Sequence, residues 1–140
     1  MCLATIAVSA QLNPVSWSYS AKKISDKTYE LHIVASIQSG WHLYSQSQPE
    51  DAIAEPTQVT FNKNPLLSFE GKLKEEGKLE KFHDPKIDIS ANQYSSKVSF
   101  VQVVKLKAKA KTNITGSVRF QTCNDEKCLP PKTVTFNVAL

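Results

Sequence analysis

Tyr29-Glu30-Leu31-His32-Ile33-Val34-Ala35-Ser36-Ile37 carries apolar residues at its odd positions and mostly polar ones at its even positions, and the pattern stops at Gly40. A period of two sends alternate side chains to opposite faces of an extended chain, so the stretch predicts a β-strand with one buried face. Residues 98–111 read V-S-F-V-Q-V-V-K-L-K-A-K-A-K and continue the theme: Lys105, Lys107, Lys109 and Lys111 alternate with Leu106, Ala108 and Ala110, which predicts four lysines along one solvent face. Further strands are expected at 17–21, 57–61, 66–70, 114–122 and 132–138, each rich in β-branched or aromatic residues and bounded by Pro, Gly, Asn or Asp. Residues 71–79, with a glycine near each end and four charged side chains between the two, predict a charged connection. About seven short strands with no amphipathic helix between them predict an all-β fold, an immunoglobulin-like antiparallel β-sandwich.

The chain is long enough for one domain of this kind and too short for two: 140 residues, 41% of them hydrophobic, supply one core. No internal repeat or linker divides it. No apolar run reaches the roughly 18 residues that span a bilayer. Charge is uneven, with four lysines against six acids up to residue 70 and thirteen cations against seven acids beyond it. Arg119 is the lone arginine among those cations. Base readout relies on arginine forks and aromatic platforms, so the lysines are read as solvating exposed strands and no nucleic-acid partner is expected.

Met1-Cys2-Leu3-Ala4-Thr5-Ile6-Ala7-Val8-Ser9-Ala10 is apolar and ends small-x-small, like the cleavage site of a secretory signal that lacks its basic start. Residues 1–10 are expected to be a signal remnant and 11–140 the single domain. Cys2 would leave with the signal. Export places Cys123 and Cys128 where disulfides persist.

Those two cysteines flank the polar tip in Phe120-Gln121-Thr122-Cys123-Asn124-Asp125-Glu126-Lys127-Cys128-Leu129-Pro130-Pro131-Lys132. The short spacing lets the chain reverse and bring the Cα atoms within about 4.4–6.8 Å, so the pair can bridge locally. Pro130 and Pro131 donate no ladder hydrogen bond, which holds the chain leaving Cys128 extended and unpaired. A loop this small removes only about 2 kcal/mol of unfolded-state entropy, a weak staple for a domain with its own core. A hairpin-stiffening bridge and a working one both remain open at this point. A zinc set would need four clustered ligands, whereas His32, His42 and His83 are scattered. Lys127 beside Cys128 favours a thiolate, and Asp125 and Glu126 oppose it. With no C-x-x-C at a helix N-terminus, an exchange partner would have to supply that element.

At these residues the chain resembles the N-terminal domain of the DsbD protein-disulfide reductase family. The resemblance covers about residues 14–140. It rests on the C-N-D-E-K-C-L-P-P hairpin, on Gly40-Trp41-His42-Leu43-Tyr44, and on His83-Asp84-Pro85 with Ile87 before Tyr94. It implies a periplasmic, immunoglobulin-like, monomeric module that passes reducing equivalents between thioredoxin-fold donors and acceptors without a cofactor. By the same resemblance Cys128 is the more exposed sulfur that forms the mixed disulfide, and Cys123 resolves it. Asn124, Asp125, Glu126, Lys127, Pro130 and Pro131 shape the active hairpin. Asp84 and Ile87, within residues 82–89, correspond to a shielding cap, and His42 and Tyr44 to aromatic-rich positions that wall the site. Two departures stand out. One residue fewer separates the cysteines than in better-known members, and Ile87 stands where the cap has an aromatic ring. If the sequence is a complete gene product, its electron source must be a separate protein. The alternative reading is a non-catalytic binding module whose bridge only stiffens the hairpin.

Overall fold

The structure, a computed structural model, describes residues 13–140, so the expected signal remnant lies outside the described residues. The described residues form eleven strands and no helix: β1 (Val15–Ser25), β2 (Thr28–Ile37), β3 (His42–Tyr44), β4 (Gln58–Phe61), β5 (Leu67–Gly77), β6 (Glu80–Asp84), β7 (Ile89–Tyr94), β8 (Lys97–Leu106), β9 (Asn113–Phe120), β10 (Thr122–Cys123) and β11 (Lys132–Ala139). They pair antiparallel into sheets of order β1-β2-β8-β5, β11-β9-β4 and β10-β3-β7-β6. This is the all-β, immunoglobulin-like sandwich that the period-two pattern predicts.

The first two sheets enclose the core. In β2 the odd positions Leu31, Ile33 and Ala35 are fully buried, and they join Phe100 and Val104 of β8 and Ile114 and Val118 of β9 in one apolar cluster. Each full burial of a large apolar side chain contributes about 1.5–3 kcal/mol. Any two of them therefore outweigh the roughly 2 kcal/mol available from the short cysteine loop. Aromatic pairs tie the two sheets together: Tyr19 of β1 lies 5.4 Å from Phe136 of β11, Trp17 of β1 lies 5.1 Å from Phe120 of β9, and Phe61 of β4 stacks at 4.6 Å on Phe69 of β5. Gly116 sits where β9 is flanked by β4 and β11, and its missing side chain leaves room for the Phe136 ring, whose Cζ lies 2.7 Å from where a Cβ would be.

Two sequence expectations change. The lysine alternation ends in mid-pattern: β8 stops at Leu106, and residues 107–111 are exposed at every position, alanines included. Ala108 and Ala110 are too small to hold a strand face down, and the chain turns away after the Lys107 N–H bonds the Leu66 carbonyl. The predicted charged connection at 71–79 is instead mostly strand. β5 runs on to Gly77 by pairing Lys74 to Gly77 with Val101 to Val98, after a bulge between Glu70 and Lys74. Gly71 supplies the positive φ of 72° there, and the Gln102 amide donates to the freed carbonyls of Glu70 and Gly71.

Candidate active site

β9 and β10 are separated by Gln121 alone, and across that residue the chain changes sheets. Phe120 pairs with Lys132 of β11, whereas Thr122 and Cys123 pair with Leu43 and His42 of β3. Beyond the tip, Cys128 forms an isolated antiparallel bridge with Cys123, and the Leu129 N–H bonds the Thr122 carbonyl. Pro130 and Pro131 then carry the chain back to pair with β9 as β11. The cysteine hairpin is thus an excursion from the main sandwich into the small third sheet.

Asn124 shapes the tip. Its side-chain oxygen accepts from the N–H groups of Glu126 at 2.8 Å and Lys127 at 2.7 Å, and its own N–H donates to the Lys127 carbonyl at 2.8 Å. Such a side-chain turn reverses the chain within four residues without glycine. Cys123 and Cys128 face each other in a β-bridge and are joined as a disulfide, with Cα atoms 3.9 Å apart, closer than the sequence expectation. Their surroundings differ: Cys123 is 4% exposed and packs with Tyr44 and Ala91, whereas Cys128 is exposed.

Cys128 opens onto a cleft of about 740 Å³. The third sheet contributes His42 and Tyr44 from β3, Phe82 from β6, and Ile89, Ala91 and Gln93 from β7. The β3–β4 connection adds Ile53 and Ala54, and the hairpin adds Gln121, Asn124 and Asp125. Exposed apolar side chains stand among these, Ile53 at 74% and Phe82 at 48%. Gln121 locks two of the parts together: its side-chain oxygen accepts the Glu55 N–H, and its amide donates to the Leu129 carbonyl. Tyr44 is buried, which raises its phenol above the ordinary range, and the Thr57 hydroxyl holds its carbonyl at 2.6 Å.

His42 is half-buried, with Nδ1 3.0 Å from Ser95 Oγ and Nε2 3.7 Å from Asp125 Oδ1. Glu126 and Lys127 are exposed at the tip, Pro130 is exposed and Pro131 half-buried. Asp84 and Ile87 lie in or beside the β6–β7 turn, outside the cleft lining. The Asp84 carboxylate accepts the Lys86 N–H to close that turn, and Ile87 is 63% exposed. From sequence, Phe82 and Ile89 were only the ends of the expected cap and Ile53 was not singled out. The run of exposed residues in the middle of β6 gave no hint that Phe82 turns to the cleft.

A family model described as thiol:disulfide interchange protein DsbD, N-terminal, matches residues 10–140. Comparison with curated proteins gives no match. Among solved structures the fold is similar to the N-terminal periplasmic domain of ScsB from Proteus mirabilis, with TM-score 0.63, 16% identity, and 90% of this chain and 46% of that one covered. It is also similar to the N-terminal domain of DsbD from Neisseria meningitidis in the reduced form, with TM-score 0.54, 15% identity, and 88% and 84% covered. The chain thus spans a little under half the length of the ScsB chain it matches. At these identities the structural likeness is one of fold.

Proposed function

The chain belongs to the family of DsbD N-terminal domains, and on that footing we propose that its Cys123–Cys128 pair is a working disulfide that relays reducing equivalents between thioredoxin-fold partners in the periplasm. The observation that carries this reading is the asymmetry of the bridge: one sulfur sits in an exposed residue on an apolar cleft, the other in a buried one. Exchange proceeds when a thiolate attacks one sulfur of a disulfide and displaces the other, so access decides which sulfur is attacked. A donor thiolate attacks Cys128 Sγ, the electron pair of the old bond passes to Cys123, and a mixed disulfide forms. The donor's second thiolate then attacks its own first sulfur, leaving Cys123 and Cys128 reduced and the donor oxidised. Passing the electrons onward runs the same steps against an acceptor disulfide. Both sulfurs and the partner dithiol account for all electrons, so no cofactor is required. Asn124, Pro130 and Pro131 present the tip, and Phe82 and Ile53 offer apolar contact to a docked partner.

The test is the reduction potential of the pair, measured by equilibrating the protein in graded glutathione buffers and counting alkylated thiols by intact mass. A value between roughly −270 and −120 mV supports the relay, and a pair still oxidised below about −300 mV overturns it in favour of a stiffened, non-catalytic hairpin.

A further inference from the structure

His42 is held by a hydrogen-bond chain whose proton count fixes its imidazole. Ser95 Oγ carries one proton and donates it to Glu80 Oε2 at 2.8 Å. His42 Nδ1 lies 3.0 Å from the same hydroxyl oxygen, which can only accept there, so Nδ1 bears a hydrogen and donates it. In the neutral ring the lone pair then belongs to Nε2. That nitrogen faces the disulfide hairpin, 3.7 Å from Asp125 Oδ1. The β3–β10 register sets His42 directly opposite Cys123. Side chains so opposed share one face of the sheet, with Cβ atoms about 4.5–5.5 Å apart. His42 also lines the cleft together with Cys128.

We infer that His42 Nε2 is the proton acceptor for the Cys123 thiol in the resolving half of exchange, an inference that rests on the exchange reading above. When the reduced pair has attacked an acceptor disulfide, Cys128 Sγ is bonded to the acceptor's sulfur and Cys123 is left as a thiol. The thiolate, not the thiol, is the nucleophile, and a residue only 4% exposed has little water to take its proton. Nε2 takes that proton. The Cys123 sulfur then bonds to Cys128 Sγ, the bond from Cys128 to the acceptor breaks, and its electron pair leaves on the acceptor thiolate, which picks up a proton from the imidazolium or from water. The pair loses two electrons and the acceptor gains them. The charged groups facing the ring are Asp125 from the hairpin and, through Ser95, Glu80 from β6. Both are anionic, the sign that accommodates an imidazolium. The serine and the glutamate act as positioning residues, keeping the lone pair on the nitrogen that faces the hairpin.

The reduced 140-residue chain carrying Cys2→Ser has only the two hairpin thiols, and stopped-flow mixing with one equivalent of the aromatic disulfide dithionitrobenzoate separates the steps. The first thionitrobenzoate leaves as Cys128 attacks, at a rate that follows reagent concentration. The second leaves as Cys123 closes the bridge, at a rate independent of it. His42→Phe keeps the ring volume and is expected to slow that phase roughly tenfold or more at pH 7 and to change its pH profile, because the thiol then loses its proton without the imidazole. Ser95→Ala and Glu80→Gln leave the imidazole in place and are expected to slow it about threefold, the cost of losing the fixed tautomer. A His42→Phe protein within twofold of the parent rate, with the same pH profile, overturns the inference. If that variant fails to fold, Ser95→Ala and Glu80→Gln both at parental rate and pH profile do so. If the parent protein releases no second thionitrobenzoate, the exchange reading itself falls and the inference with it.

Discussion

The Tyr94 hydroxyl donates a 2.6 Å hydrogen bond to the Glu75 carboxylate, joining β7 of the small cysteine-bearing sheet to β5 of the main sandwich. The same carboxylate accepts from the Ser45 hydroxyl and the Gln46 N–H, both 2.9 Å away and both just beyond β3. One half-buried acid therefore fixes the strand that carries His42 and Tyr44. Glu75→Ala removes both acceptor oxygens and leaves all three of these groups without their partner. Urea denaturation should show a loss of about 1–3 kcal/mol, the cost of stranding a buried hydrogen-bonding group. An unchanged midpoint would mean that the small sheet is held by its packing alone.

The same contact sets a pH dependence. Burial first, then the hydrogen bond and the negative charge of Glu75, raise Tyr94 well above its ordinary value of 10.0. The unfolded chain loses its phenolic proton from about pH 10 upward while the native state keeps it, so stability is fully present below that pH and declines as pH rises further. Tyr94→Phe should decline less steeply between about pH 9.5 and 11.5 in the same titration. Tyr19 and Tyr44, also raised by burial, leave a residual slope. Identical slopes in the two proteins would remove Tyr94 as its source.

Access to the two sulfurs separates the single-cysteine variants. In a Cys2→Ser background, Cys123→Ser keeps the exposed Cys128 and Cys128→Ser keeps the buried Cys123. Glutathione disulfide should form a mixed disulfide with the first at least about tenfold faster, as followed by intact mass. Equal rates would show that the asymmetry does not govern exchange.

Gly116 permits the close approach of β4, β9 and β11. A Cβ there would overlap the Thr60 carbonyl oxygen and meet Phe136 Cζ at 2.7 Å. Backbone cannot give way as a flexible side chain can, so Gly116→Ala should lower stability by about 1–3 kcal/mol, read as a fall in thermal midpoint. A midpoint within a degree or so of the parent protein's would place the strands farther apart than this geometry has them.

The sandwich was legible because its strands follow one rule: burial and polarity alternate in β2 and at both ends of β8, breaking only around Val101 and the buried Gln102, and each apolar face is large enough to read. The third sheet was not, for β3 has three residues, β10 has two, and no period survives so short a run. β6 was equally silent, since most of its residues are exposed. What marked the site in the sequence was chemistry rather than pattern: two cysteines around a polar tip and two prolines beyond it. The spacing could not place His42 opposite Cys123, because that pairing joins segments some eighty residues apart through a ladder invisible to local periodicity.

The excursion of the cysteine hairpin into its own small sheet bears on how many times the pair can turn over. The bridge closes only a loop of neighbours, separation 5, and encloses no strand of the main sandwich. Opening it releases no distant segment and closing it captures none, so the two oxidation states share one chain topology. On the proposed relay, the change of covalent state is confined to the hairpin, away from the aromatic pairs that join the large sheets, so turnover makes no demand on refolding.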